Sequence, residues 1–176
     1  MAVASDNGRS GSVREQLLHD NPIVDIWRIA QVANYYVFPM FKEFDSSLGL
    51  SRAEFVSLLC LVHGKALTAQ EIVVGSGLPK NNISRAVRLL ESKGLLTREK
   101  NISDQRSNTL FVTDAGGRLL DTCLTYAKRR QAKVMAALTA DEHKQFQDLI
   151  LKLCDSLADW AEMETIIAAG DERQPR

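Results

Sequence analysis

The stretch LPKNNISRAVRLLESKGLLTREKNISDQRSNTLFVTDAGG, residues 78–117, changes its apolar period halfway along, and that change decides the fold. Up to Lys93 the apolar residues Ile83, Val87 and Leu90, helped by Ala86, recur at helical spacing, while Asn81, Arg85, Arg88 and Ser92 fall on the opposite side. Pro79 presets a helical φ near the first turn, and Gly94 supplies a left-handed cap after about Lys93. Beyond it, Leu95 to Lys100 and Asn108 to Thr113 are rich in Leu, Thr, Phe and Val and are separated by the polar stretch 101–107. They predict a β-hairpin with a polar loop.

Working upstream, Thr68 and Glu71 form a capping-box signature, in which each residue satisfies an orphan amide of the other. It opens a short helix that Gly75 and Gly77 end. A short helix, a Gly-containing turn and a second helix make a helix-turn-helix, which presents the second helix to a DNA major groove. Ser51 and Glu54 repeat the box before the apolar run Phe55 to Val62, which closes at Gly64. Before that, Ile23, Ile26, Trp27, Ala30, Ala33, Val37, Met40, Phe41 and Phe44 predict a long first helix ended by Gly49, with a kink or break near Phe38 caused by Pro39.

Downstream, Thr113 or Asp114 caps a fifth helix through Leu119, Leu120, Leu124 and Ala127 towards Leu138. Thr139 and Glu142 then open a sixth, with the stripe Phe146, Leu149, Ile150, Leu153, Leu157, Trp160 and Ala161. The apolar stripes of the first and last helices are wider than a lone surface helix hides. Packing against a second copy would bury both, as would packing on each other. The predicted class is mainly α with a small β-hairpin wing, a winged helix-turn-helix module flanked by dimerisation helices. Its predicted organisation is a flexible polar tail at 1–20 and one domain at 21–170, with dimerisation helices at 21–48 and 114–170 and a DNA-binding lobe at 51–113.

The formal net charge is zero, yet the charge is segregated. From Lys80 to Arg106 seven basic residues face three acidic ones, giving +4, whereas from Thr139 to Glu172 nine acids face two lysines, giving −7. The acidic run suits a solvated helix face, and it also keeps that end off a phosphate backbone. An apolar fraction of 45% without a span of about 18 apolar residues excludes a membrane helix. The first residues lack the apolar core of a secretory signal, so a cytoplasmic location is expected.

Residues 78–117 closely resemble the recognition helix and wing of the MarR family of winged helix-turn-helix regulators. The resemblance is carried by the Ser84-Arg85 pair, by Leu90-Glu91-Ser92-Lys93-Gly94-Leu95, and by Asp104 and Arg106 before Leu110, Thr113 and Gly116. It implies a homodimer with interlocked terminal helices, recognition helices in successive major grooves and wings in the flanking minor grooves of double-stranded DNA. Half-sites about 34 to 36 Å apart would follow.

Position by position, the resemblance places Asn81, Asn82, Ser84 and Arg85 at the base- and phosphate-facing start of the recognition helix, Arg106 at the wing tip, and Asp104 as a brace of the wing. Asn81 and Asn82 stand where Ser and Thr are usual, and Asn suits a bidentate contact with adenine. Lys80 and Arg88 extend the cationic face. Arg98 and Lys100 suit phosphate contact and an exposed strand face equally.

Relatives of this type take small aromatic or phenolic effectors in a cleft beside the dimer helices. Trp27, Arg28, Tyr36 and His63 are nominated for such a cleft, although Trp27 also fits a core position and His63 also fits a partner for helix-end carbonyls. Cys60, Cys123 and Cys154 have no CxxC spacing and read as buried free thiols, and the setting of Cys60 among leucines disfavours oxidation sensing. His19, His63 and His143 lack the spacing of a metal site, and no cofactor is called for.

The function expected is a dimeric transcriptional regulator, more often a repressor of a palindromic operator, relieved by an effector. The alternative is a winged-helix protein-interaction module that does not read DNA. An enzyme is disfavoured, since no nucleophile, base and orienting acid cluster at a recognisable spacing.

Overall fold

The computed structural model describes residues 12–19, 22–64, 66–100 and 108–171, with side chains through residue 156. In chain order the elements are α1 (Val13–His19), α2 (Val24–Leu48), α3 (Arg52–Gly64), α4 (Ala69–Ser76), α5 (Lys80–Ser92), β1 (Leu96–Lys100), β2 (Asn108–Val112), α6 (Asp114–Met135) and α7 (Ala140–Asp171). The chain divides into two compact units, 1–130 and 131–176. The division falls inside α6, whose first turns send Leu120, Cys123 and Ala127 into the core of the first unit.

Several helix ends of the first unit fall where side chains or glycine caps satisfy orphan backbone groups. Ser51 and Glu54 exchange amide bonds at the head of α3 (2.9 and 3.4 Å), and Thr68 and Glu71 do so at α4 (2.7 and 3.2 Å). Gly49 ends α2 in the left-handed region at φ 58°, which lets the amide of Leu50 reach back to the Phe44 carbonyl at 3.1 Å. Gly94, at φ 68°, does the same after α5, where the Leu95 amide donates to Leu90 at 2.9 Å.

A further box lies inside the stretch expected to be a tail. The Ser12 amide donates to Glu15 at 2.9 Å and the Glu15 amide donates to the Ser12 hydroxyl at 3.3 Å, opening α1. The tail expectation is corrected for 13–19; the rest of it, 1–11 and 20, lies outside the described residues.

The expected break at Pro39 does not occur, since α2 runs through it as one helix. A proline there leaves the carbonyl of Tyr35 without its usual amide. The Arg130 guanidinium takes that place, donating from Nη2 to the Tyr35 oxygen at 2.9 Å. Beside it, the Tyr36 hydroxyl donates to the Ala127 carbonyl at 3.1 Å, and the Arg130 guanidinium lies 5.9 Å from the Tyr36 ring centre. Burial raises the Tyr36 pKa above its ordinary value, against the opposing pull of Arg130.

The core of this unit joins α2, α3, α4, α5, the hairpin and α6. Phe44 meets Phe55 and Tyr126 with ring centres 5.3 and 5.7 Å apart, and Leu58, Leu61, Ile72, Ile83, Leu90, Leu96, Leu110 and Leu120 are fully buried around them. Each such side chain contributes roughly 1.5–3 kcal/mol of burial free energy.

β1 and β2 pair antiparallel from Leu96 opposite Val112 to Lys100 opposite Asn108. The hairpin is tied to the lobe by a bridge that the sequence reading did not foresee. Leu67 and Leu110 exchange both backbone bonds (2.8 and 3.4 Å), which docks β2 on the segment just before α4.

In the second unit α7 opens with the Thr139 and Glu142 box (2.8 and 3.3 Å) and exposes Leu149, Leu151 and Leu153 along its described part. No helix among the described residues is long and apolar enough to cross a membrane.

Of the three cysteines expected to be buried, Cys123 alone is fully so, and the expectation is corrected for Cys60 in part and for Cys154. Cys123 is buried, Cys60 is half-buried and Cys154 is exposed. Burial raises the Cys60 pKa and pushes the Cys123 thiol up to about 11, so both stay protonated at neutral pH. Cys123 is therefore expected to resist a thiol reagent at pH 8 in the folded protein and to react on unfolding in denaturant. Rapid native labelling of Cys123, read by peptide mass, would contradict this.

Candidate nucleic-acid interface

The α5 helix has two sharply different sides. Ile83, Ala86, Val87 and Leu90 are buried, and Lys80, Asn81, Asn82, Arg85 and Arg88 are exposed, with Ser84 half-buried between the two sets. The sides follow from spacing, since positions three and four apart share a face of a helix. Pro79 occupies the N-cap at φ −56° with no side-chain cap bond, and its carbonyl accepts from the amides of Asn82 (2.9 Å) and Ile83 (3.2 Å), which opens the helix at the end where the asparagines stand. Among the described residues Lys80, Arg85 and Arg88 make no ion pair, which leaves their charge available.

Two cations of the same stretch are engaged elsewhere. Arg98 on β1 pairs with Glu91 at 3.0 Å, which steadies the wing against the end of α5 and offsets part of its charge. Lys93 donates to Glu54 at 2.6 Å and to the Gly49 carbonyl at 2.7 Å. Glu54 is only 2% exposed. Burial pushes its pKa upward, but the bonds from Lys93 and Ser51 outweigh burial and hold the carboxyl below its ordinary value. A depressed folded pKa means that the pair's stabilisation is complete above about pH 4.5 and is lost as pH falls through the folded value. The melting-temperature gap between wild type and Glu54→Gln should therefore be larger at neutral pH than below pH 4.5. An equal gap at both would contradict the ion pair.

Lys100 is exposed on β1. Asp104 and Arg106, expected at the wing tip, lie outside the described residues.

Of the four residues nominated for an effector cleft, Trp27, Arg28 and Tyr36 lie on α2 and His63 lies on α3. Trp27 is half-buried with an indole N–H that is buried and has no hydrogen-bond partner among the described residues. Arg28 is exposed, pairs with Asp25 at 3.6 Å and donates to the Leu18 carbonyl at 2.8 Å. Tyr36 binds Ala127 as above, and the His63 Nδ1 lies 2.9 Å from the Leu59 carbonyl, fulfilling the helix-end reading. An open cleft of about 530 Å³ lies instead between α3, β2 and α6, with Leu61, Val62, Phe111 and Arg118 among its walls. None of the four nominated side chains lines it. Arg130 was not singled out from sequence; its signal was Pro39, whose missing amide calls for a donor near Tyr35.

A helix-turn-helix of α4 and α5, followed by an antiparallel hairpin and framed by long helices, defines a winged helix-turn-helix protein. Residues 48–107 match the model of the MarR family. An HTH-type transcriptional repressor of Mycobacterium tuberculosis is 29% identical over 108 residues, 61% of this chain and 78% of the relative. An HTH-type transcriptional regulator of Bacillus subtilis is 28% identical over 122 residues, 67% of this chain and 80% of the relative.

Among solved structures, the transcriptional regulator SlyA superposes with TM-score 0.72 at 16% identity, covering 79% of this chain and 97% of that one. A MarR-family regulator from Listeria monocytogenes complexed with DNA superposes with TM-score 0.73 at 21% identity, covering 80% and 93%. These similar proteins are regulators, not enzymes.

Proposed function

We propose that this regulator acts in the cytoplasm as a homodimeric repressor that binds a palindromic DNA operator and is released by a small effector. The observation that carries the reading is the α5 face of Lys80, Asn81, Asn82, Arg85 and Arg88, exposed and without an ion pair among the described residues, opposite a fully buried stripe. The asparagines suit adenine edges, and the arginines suit guanine or phosphate oxygens. Lys100 and Arg98 flank them for phosphate contact, and Arg106 with its brace Asp104 belongs to the hairpin loop that would enter the minor groove.

A second copy is supported by α2, whose Ile26, Ile29, Val32, Tyr35 and Phe38 recur every three residues and remain exposed, the last two at 64% and 66%. A run of that kind on one helix marks an interface. The repressor sense is supported by the function named for the mycobacterial relative. For the effector, an aromatic or phenolic molecule, Trp27 offers a buried indole N–H that has no hydrogen-bond partner among the described residues, with Arg28, Tyr36 and His63 as the other nominated residues.

The test is selection of binding sites from random duplexes, followed by titration in salt. Affinity should fall about tenfold or more between 50 and 200 mM salt, because each phosphate contact releases counterions. Retention of no duplex, with a protein partner captured instead, would favour an interaction module that does not read DNA.

A further inference from the structure

The end of the DNA-reading helix is fastened at one point to two other helices. Lys93, the C-cap of α5, sends one ammonium to the Gly49 carbonyl that caps α2 and to Oε1 of Glu54 in the first turn of α3. Glu54 Oε2 is occupied by the Ser51 amide at 2.9 Å, so both carboxylate oxygens are taken and the group is sealed from solvent. A lysine so placed adds little to the cationic face of α5. It fixes where that face sits.

We infer that Lys93 and Glu54 are positioning residues for DNA recognition, joining the end of α5 to the α2–α3 junction so that the helix bearing the exposed apolar stripe and the helix bearing Asn81 and Arg85 keep one relative placement. The inference rests on the DNA-reading role proposed above. A helix of 13 residues is about 20 Å long, so a small rotation at its C-terminal end carries the asparagines at the other end out of register with base edges. The pair thus contributes to affinity through geometry, not through its own charge.

The sign of one substitution separates the two roles. Glu54→Gln keeps a capping-box side chain, leaves Lys93 charged and makes the lobe more positive by one unit. If Lys93 were simply a phosphate cation, freeing it would leave DNA binding equal or tighter. The inference expects binding to a selected duplex to weaken about tenfold, with the slope of log affinity against log salt unchanged. A companion Lys93→Met should weaken binding likewise and leave the slope unchanged, whereas loss of a phosphate contact would lower the slope by about one.

Lys93→Met leaves the buried Glu54 carboxylate without its cation, whereas Glu54→Gln leaves only the exposed Lys93 unpaired, so folding is checked by circular dichroism. The double variant Glu54→Gln with Lys93→Met, which buries no unpaired charge, serves if either single one unfolds. It too should bind more weakly at unchanged slope. Equal or tighter binding by Glu54→Gln or by the double variant, or a slope lowered by one in Lys93→Met, overturns the inference. If wild type itself binds no duplex, the DNA-reading role fails first, and that result is distinct from all of these.

Discussion

Gly116→Ala is expected to lower the melting temperature by roughly 6–12 °C, taking about 3 kcal/mol for overpacking and about 2–4 °C per kcal/mol for a chain of this size. Gly116 is buried in the first turn of α6, and a methyl group there would run into the Leu95 carbonyl and lie 2.9 Å from Val112 Cγ1. The obstruction is backbone, which no rotamer change relieves. The same place is knotted by Thr113, whose hydroxyl donates to the Gly94 carbonyl at 2.8 Å and accepts from the Gly116 amide at 3.2 Å. The end of α5, the base of the wing and the start of α6 therefore meet at a residue without a side chain. Gly117 is the control, because a Cβ there meets nothing within 4 Å. Gly117→Ala should be neutral or stabilising by up to about 1 kcal/mol, since alanine favours helix. Thermal melts of the pair decide it; equal effects would contradict the packing described.

Arg85→Ala is expected to lower affinity for a selected duplex at least tenfold, since one well-placed arginine is worth about 1–3 kcal/mol and a two-fold protein loses it twice. The melting temperature should stay within about 2 °C, because surface substitutions that break no contact change stability by about 0.5 kcal/mol or less. Arg85 is exposed and makes no ion pair among the described residues. Fluorescence anisotropy alongside a melt separates the two quantities. Unchanged affinity would move recognition away from this face.

Much of this was legible in the sequence because local chemistry decides it. Three S/T-x-x-E boxes and the glycines at 49, 77 and 94 mark helix ends through bonds made within a few residues, and the structure shows those bonds. The Ser12 and Glu15 box obeys the same rule, yet only the apolar residues Val13, Leu17 and Leu18 follow it before Pro22, a run too short to mark a helix by period alone. What was not legible depends on partners far along the chain. The continuity of α2 through Pro39 needs Arg130, which lies 95 residues from Tyr35. Likewise Lys93 looked like one more cation of a basic stretch, and only the fold brings it to Glu54, 39 residues away. The two sides of α5 were legible because they follow from helical period, whereas contacts between helices depend on a mutual placement that no single period encodes.

The central claim is that α5 is presented twice, by two copies of the chain, to one face of a duplex. Hydroxyl-radical footprinting of the protein on a duplex recovered by selection tests it most directly. Two protected half-sites related by two-fold symmetry, with centres about 34–36 Å apart, are predicted. A single unpaired half-site, or protection that survives when Asn81, Arg85 and Arg88 are all replaced by alanine, would contradict it.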